Sequence, residues 1–450
     1  MSNRREFLGT LGAIALPASY LSWAAREATA SALVPLPTRD TLDILAELAE
    51  TPGSPDEIAR DESFWAQCQS AFTVDRSLVN FNNGGVSPTP RIVQEAMKRH
   101  YDFANSHPTA MALFSILEPA PRNAVRQRLA HHWGADAEEI AITRNSSEAL
   151  HICQLGIDLS PGDEMLAMTC DYPRMLNAFR MRERRQGAKL VLIKLPIPAE
   201  DDEEILRRYR DAITPRTRVI LMSHIVNITG QILPVRKVVD MARGINGGIP
   251  VIVDGAHALA HFAFKLPDLG CDYYGVSLHK WLFAPHGTGM LYVKRDKVKS
   301  LWPMFGTAPE QDDNIRKFEE VGTHPAGNFL AIAEALTFHQ TIGDARKEAR
   351  LRYLRDTWAK RLLATGQCKL HTSLKPQYSC GIGTIQIVGV DSARIGSYLW
   401  DTHRIAVTPI KHDEFEGLRV TPSVYSTMEE VDRFCSAVEH VITHGLPATP

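Results

Sequence analysis

Val251-Ile252-Val253-Asp254-Gly255-Ala256-His257-Ala258 reads as an apolar strand that ends in a carboxylate. Further along stand Val276-Ser277-Leu278-His279-Lys280-Trp281 and the turn Pro285-His286-Gly287-Thr288-Gly289. A strand-end acid followed by a lysine in a Ser-x-His-Lys turn suits the chemistry of pyridoxal 5'-phosphate (PLP). The lysine amine holds the aldehyde as a Schiff base, and the acid keeps the pyridine nitrogen protonated so that the ring accepts electrons. Lys280 and Asp254 are therefore the candidate catalytic residues. Partial burial beside Trp281, Leu282 and Phe283 is expected to lower the lysine pKa and free the amine for attack.

The elements around this stretch alternate. Helical patterns over 91–105, 120–133, 148–155 and 174–186 interleave with the apolar runs 140–142, 164–168, 189–193, 219–222 and 251–253. Such alternation predicts an α/β fold with a mostly parallel sheet covered on both faces. An amphipathic helix is expected over 56–72, one long helical stretch over 327–363, alternating strand material at 384–388, and a last helix from Thr427. The expected division is a large domain over 79–325 and a smaller α+β domain over 326–450. Residues 31–78 form a linker and N-terminal helices, as part of the small domain or a dimer arm.

The chain of 450 residues is 44% hydrophobic, enough for a large core and more than one domain. Its net charge of −2 gives no electrostatic case for nucleic acid. Seven cysteines, an odd number, are scattered without a Cys-x-x-Cys pair, so no metal is expected from their spacing. At the amino terminus, Asn3-Arg4-Arg5-Glu6-Phe7-Leu8 precedes an apolar stretch from Leu11 to Leu21 and then Ala28-Thr29-Ala30. This reads as a twin-arginine signal peptide over 1–30, with an amphipathic starter helix as the alternative. The apolar run is too short to remain as a spanning helix, so no stable membrane anchor is expected. The expected partner is the twin-arginine export machinery, which carries folded, cofactor-loaded proteins, and the expected location is periplasmic or exported.

Ligands of open α/β sheets collect at the carboxyl ends of the strands. After the run 140–142, Asn145-Ser146-Ser147 at a helix start offers backbone amides for the PLP phosphate, with a plain N-cap as the alternative. Tyr172 stands where an aromatic ring could stack on the pyridine, or it is a turn residue. Asn227, after the run 219–222, could bond the phenolic oxygen of the cofactor or a substrate carboxylate, or cap its loop. His257 falls near the ring substituents, or is structural. Ser277 and His279 flank the lysine and could reach the phosphate.

Taken together these motifs resemble the class V aminotransferase family of fold-type I PLP-dependent enzymes, from Asn80 to the final helix. That family has a large domain built on a seven-stranded, mostly parallel sheet. Asn82-Asn83-Gly84-Gly85-Val86-Ser87-Pro88 is most similar to the isopenicillin N epimerase-like branch. The resemblance implies that Asp254, His257, Ser277, His279 and Lys280 take the roles argued above. Glu320-Val321-Gly322-Thr323 is similar to a family stretch whose threonine reaches the phosphate bound by the other subunit. This implies a homodimer with shared active sites and assigns Thr323 to the cofactor, although His324-Pro325 departs from the usual continuation. Leu418-Arg419-Val420-Thr421 resembles the segment whose arginine clamps the substrate carboxylate, which implies that role for Arg419. Cysteine desulfurases of the family carry a cysteine on the loop before that arginine. Here the loop over 405–417 has none.

Which bond at the α-carbon is broken is not written in these motifs. The branch resemblance implies an epimerase-like enzyme acting on an amino acid or on the free amino-acid end of a peptide-like substrate. A periplasmic siderophore-tailoring enzyme of the pyoverdine type is the rival, beside a carbon–sulfur lyase of the same family. A non-catalytic binding protein of this fold would be expected to lack the lysine or the aspartate.

Overall fold

The computed structural model describes residues 38–106 and 120–447. The signal peptide expected over 1–30 lies outside them. Three helices come first: α1 (Arg39–Glu50), α2 (Pro55–Arg60) and α3 (Glu62–Ser70). The single helix expected over 56–72 is thus two. Asp61 ends α2 and caps α3, its carboxylate accepting from the Ser63 and Phe64 amides.

Next come β1 (Val79–Asn80), α4 (Arg91–Ser106), α5 (Ala120–Trp133), β2 (Ile140–Thr143), α6 (Ser146–Gly156), β3 (Glu164–Met168) and α7 (Pro173–Gln186). The series continues with β4 (Lys189–Ile193), α8 (Asp202–Ala212), β5 (Thr217–Ser223), α9 (Val235–Ile245), β6 (Val251–Asp254), α10 (Leu266–Leu269), β7 (Tyr273–Ser277) and β8 (Gly289–Val293). Seven of these strands form one sheet in the order β2-β8-β7-β6-β5-β3-β4. Only β8 runs against its neighbours, and the remaining pairs are parallel. Alternate residues feed opposite faces: Ile220 and Met222 join one core, Val219 and Leu221 the other. The runs named from the sequence account for five strands, and β7 and β8 are additions. Gly275 interrupts the apolar run of β7. A Cβ there would lie 2.6 Å from the Leu150 side chain, so α6 packs close only because position 275 has none.

The chain then forms α11 (Ala326–Leu330), α12 (Ile332–Ile342) and α13 (Asp344–Leu363), where one helical stretch was expected. Gly343, with φ at 88°, makes the break before α13. After it come β9 (Cys368–Leu370), β10 (Gly383–Ile387), α14 (Ser392–His403), β11 (Ile405–Ala406), β12 (Thr408–Lys411), β13 (Glu416–Val420) and α15 (Met428–His444). The loop expected over 405–417 is therefore mostly strand: β11 pairs with β1, and β12 pairs with β13 around a turn at 412–415. The second sheet is antiparallel, ordered β12-β13-β10-β9.

Core packing crosses the boundary expected at residue 325. Phe329, Ile332, Leu336 and Leu351 share the core of the large sheet, whereas Leu354 and Trp358 join Val79 and Phe81 in the core of the small sheet. Leu48, Phe64 and Trp65 of the N-terminal helices also belong to the large core. Among the described residues no helix is long and apolar enough to cross a membrane.

Candidate active site

The carboxyl ends of β2, β3, β5, β6 and β7 share one edge of the large sheet, and a cavity opens there. Every residue expected to bind the cofactor lines it, except Thr323, and Arg419 reaches the carbonyl of Asn227, one of the lining residues. Chain order explains why. Each strand delivers the first residues of its outgoing loop to the same edge.

Lys280 is buried within the cavity wall, and burial pushes its ammonium down to about 8; Asp254 opposes the fall and Arg419 adds to it. Its Nζ lies 3.1 Å from His257 Nε2. On the other side of that imidazole, the Trp281 indole N–H donates to Nδ1 at 3.4 Å. An indole nitrogen can only donate, so Nδ1 is the acceptor and the proton of a neutral ring sits on Nε2. Burial keeps the ring neutral, and the Arg419 charge pushes the same way. His257 can then donate to Lys280 only when the lysine is the free amine, which favours that form. Trp281 is itself held by stacking on His261 at 3.8 Å between centroids.

We predict that Trp281→Phe keeps the stack but loses the indole donor. The pH at which added PLP is captured should then move upward, because His257 no longer presents a fixed proton to the amine. Capture rates measured between neutral and alkaline pH would check this. An unchanged profile would show that Trp281 does not set the state of Lys280.

Asp254 is buried, and burial raises its pKa; the Ala256 amide at 3.0 Å and the Lys280 charge pull the other way. Among the described residues, no protein donor meets its second oxygen. A buried carboxylate is stable only with a partner, and a pyridinium N–H is a donor of the missing kind. The donor set therefore fits PLP.

The phosphate cradle is narrower than the sequence suggests. Asn145 is the N-cap of α6, its side chain accepting from the Glu148 amide at 2.9 Å. Ser277 Oγ accepts from the Ser146 amide at 3.0 Å and donates to Ser146 Oγ at 2.8 Å. This leaves the Ser147 amide and hydroxyl for an anion at the helix N-terminus. The backbone of Asn145 comes close because residue 289 is glycine: a Cβ there would lie 2.6 Å from it. His279 sets its Nδ1 against the Thr288 carbonyl at 3.2 Å. Burial holds its pKa near 4, so it serves a phosphate only once that anion raises it.

Tyr172 is 38% exposed at the rim of the cavity, and Asn227 lines its wall. Thr323 is exposed and does not reach the cavity of its own chain. Arg419 is buried, and burial pushes it down to about 10. Its guanidinium donates to Asn227 O at 3.2 Å, Asn82 Oδ1 at 2.9 Å and Thr408 Oγ1 at 3.2 Å, all neutral acceptors. Its Nε is buried without a partner. An uncompensated buried cation of this kind is costly unless an anion joins it.

Several residues of the site were not legible as such. Asn82 links Arg419 to Thr408, and Gly85 lines the cavity. The Ser87 amide donates to the His279 carbonyl at 3.2 Å, which lays the turn 82–88 over the lysine loop. The Asn-Asn-Gly-Gly run signals a turn but not its destination. Asp171 is buried, raised to about 7 by burial, and braced by the Met168 amide and by the Ser223 amide and hydroxyl. It rigidifies the turn that presents Tyr172 and orients Ser223 beside Asp254.

Comparison with known proteins agrees with this geometry. The family model described as aminotransferase class-V matches residues 79–434. The isopenicillin N epimerase of Streptomyces clavuligerus is 30% identical over 397 residues, covering 83% of this chain and 98% of that protein. A probable cysteine desulfurase of Vibrio cholerae is 26% identical over 394 residues, covering 81% and 94%. Among solved structures, a mutant of C-DES with glycine covalently linked to its PLP cofactor superposes with a TM-score of 0.72 at 23% identity, over 82% of this chain and 98% of that one. A cysteine desulfurase from Thermococcus onnurineus gives 0.73 at 21% identity, over 83% and 97%. With a lysine and an acid at the edge of its large sheet and a family match across most of its length, this chain belongs to the class V aminotransferases and is a PLP-dependent enzyme of fold-type I.

Proposed function

We propose that the enzyme acts at the α-carbon of an amino acid, or of the free amino-acid end of a peptide-like substrate, in the manner of an isopenicillin N epimerase. The observation that carries this reading is Arg419, a buried guanidinium that has, among the described residues, no acid in contact and no partner for its Nε. Bound PLP supplies an electron sink for negative charge developing at the α-carbon. Arg419 fixes the substrate carboxylate, and Asp254 holds the pyridine nitrogen protonated. Lys280, whose ammonium burial brings down to about 8 and which faces His257, moves the proton at the α-carbon. The buried wall formed with Trp281 and Leu282 excludes water from that transfer.

The similarity to the epimerase of Streptomyces clavuligerus supports this choice over a desulfurase, since the segment 405–417 has no cysteine to take up sulfur. Single enantiomers of amino acids and short peptides, incubated with the PLP-loaded enzyme in heavy water, test it. Deuterium at the α-carbon with loss of stereochemical purity is expected. Absence of exchange with every compound would overturn it. Arg419→Ala should raise KM by roughly tenfold to a hundredfold, the effect of losing a charge-assisted bond of about 1.5–3 kcal/mol, with a smaller change in kcat. Unchanged Michaelis behaviour would remove Arg419 from the site.

Two further features belong to this reading. A homodimer follows from the family resemblance around Thr323, whose exposed position leaves it available to a second subunit. Export follows from the twin arginines. If fractionation places the enzyme outside the cytoplasm, siderophore tailoring gains over an intracellular epimerase.

A further inference from the structure

Cys170, His412 and Glu414 are far apart in sequence, yet their ligand-capable atoms lie within 4.8 Å of one another. Cys170 follows β3, two residues before Tyr172, whereas His412 and Glu414 occupy the turn between β12 and β13. All three are half-buried. Thr169 backs two of them. Its carbonyl faces His412 Nε2 at 3.2 Å, and its hydroxyl donates to Glu414 Oε1. A carbonyl only accepts, so Nε2 carries the proton and Nδ1 keeps its lone pair. Among the described residues the one donor facing Nδ1 is the Glu414 amide, at 3.3 Å, and no hydrogen bond meets Glu414 Oε2. An imidazole that donates its far N–H to a backbone carbonyl, beside a carboxylate whose second oxygen is hydrogen-bonded, is the arrangement that orients metal ligands.

We propose that Cys170 Sγ, one imidazole nitrogen of His412 and one carboxylate oxygen of Glu414 bind one divalent ion of the zinc class, with water in the fourth position. Thiolate, imidazole and carboxylate are all zinc donors, and three protein ligands leave one position of a tetrahedron open. The thiolate and the carboxylate together balance the charge of the ion. The second His-rich cluster of the described residues, His132, His339 and Asp344, is different: Asp344 already bonds both imidazoles, at 3.4 Å and 2.8 Å. At Cys170 the ion would join the turn that carries Tyr172 to the hairpin that carries Arg419. It would thus clasp the large domain to the small sheet, two residues along the chain from Tyr172 at the rim of the cavity. The proposal does not depend on which substrate the enzyme takes.

The test is titration of the PLP-loaded enzyme, stripped with a chelator, with Co2+ as a spectroscopic stand-in for zinc. One ion per chain is expected, with thiolate-to-cobalt absorption in the near ultraviolet and the intense visible bands of a tetrahedral site. Cys170→Ser should lose the thiolate absorption. His412→Ala and Glu414→Gln should each weaken binding at least about tenfold, and Thr169→Val, which removes only a backing hydrogen bond, by about 10–100-fold. No binding above the background of free chelator, or the same thiolate band in Cys170→Ser, would overturn the site. Should Cys170→Ser fail to fold, the two hairpin variants decide: wild-type affinity in both overturns it.

Discussion

Lys280→Ala is expected to leave a folded protein that no longer keeps its cofactor and turns over at a small fraction of the wild-type rate. The variant removes the only lysine amine among the described residues of the cavity, and with it the covalent bond and the group that moves the proton at the α-carbon. General acid–base transfer alone is worth about 10²–10⁴-fold, so the loss should be at least of that order. Reduction with borohydride should tag the wild-type chain at residue 280 and leave the variant untouched, as read by mass spectrometry. A variant that retained its visible absorbance through dialysis would mean that another group carries the cofactor.

Asp254→Asn is expected to separate catalysis from stability. Replacing the carboxylate by a neutral amide removes the charge that holds the pyridine nitrogen protonated, and kcat should fall by about 10²–10³-fold, the usual cost of losing one preorganised electrostatic contact. The cofactor-free protein should respond in the opposite sense. Burial raises the Asp254 pKa, so the folded state holds this proton more tightly than the unfolded chain. That contribution to stability is fully present below the unfolded value and is lost as pH rises through the raised folded value. At neutral pH the acid is therefore a liability to the empty fold, and Asp254→Asn should raise the Tm of cofactor-free protein while lowering turnover of the loaded enzyme. Wild-type kcat in this variant would remove Asp254 from the reaction. A lower Tm would mean that the acid has a stabilising partner within the protein.

The parts of the site that could be read directly are those whose chemistry is local. Asp254 ends an apolar strand, and Lys280 follows a Ser-x-His turn; both facts lie in a few consecutive residues. Helices α4 and α15 were legible for the same reason, an apolar face that recurs at helical spacing along a few turns of chain. Element breaks were harder. Asp61 and Gly343 each fall inside a continuous apolar pattern, and it is the capping carboxylate and the positive φ that divide the helices there.

Residue types and their order along the chain were enough to name the cofactor, the lysine that holds it and the acid opposite its nitrogen, because strand ends of a parallel sheet converge on one edge whatever the details of packing. Packing alone brought Arg419 to Lys280 and left its Nε without a partner, turned the His257 proton toward the amine through Trp281, and filled the Ser146 amide with Ser277. It also gathered Cys170, His412 and Glu414, which no spacing rule would connect. These contacts join residues from different strands and domains. They depend on how side chains fill space between elements, and neighbours in the chain carry no record of that.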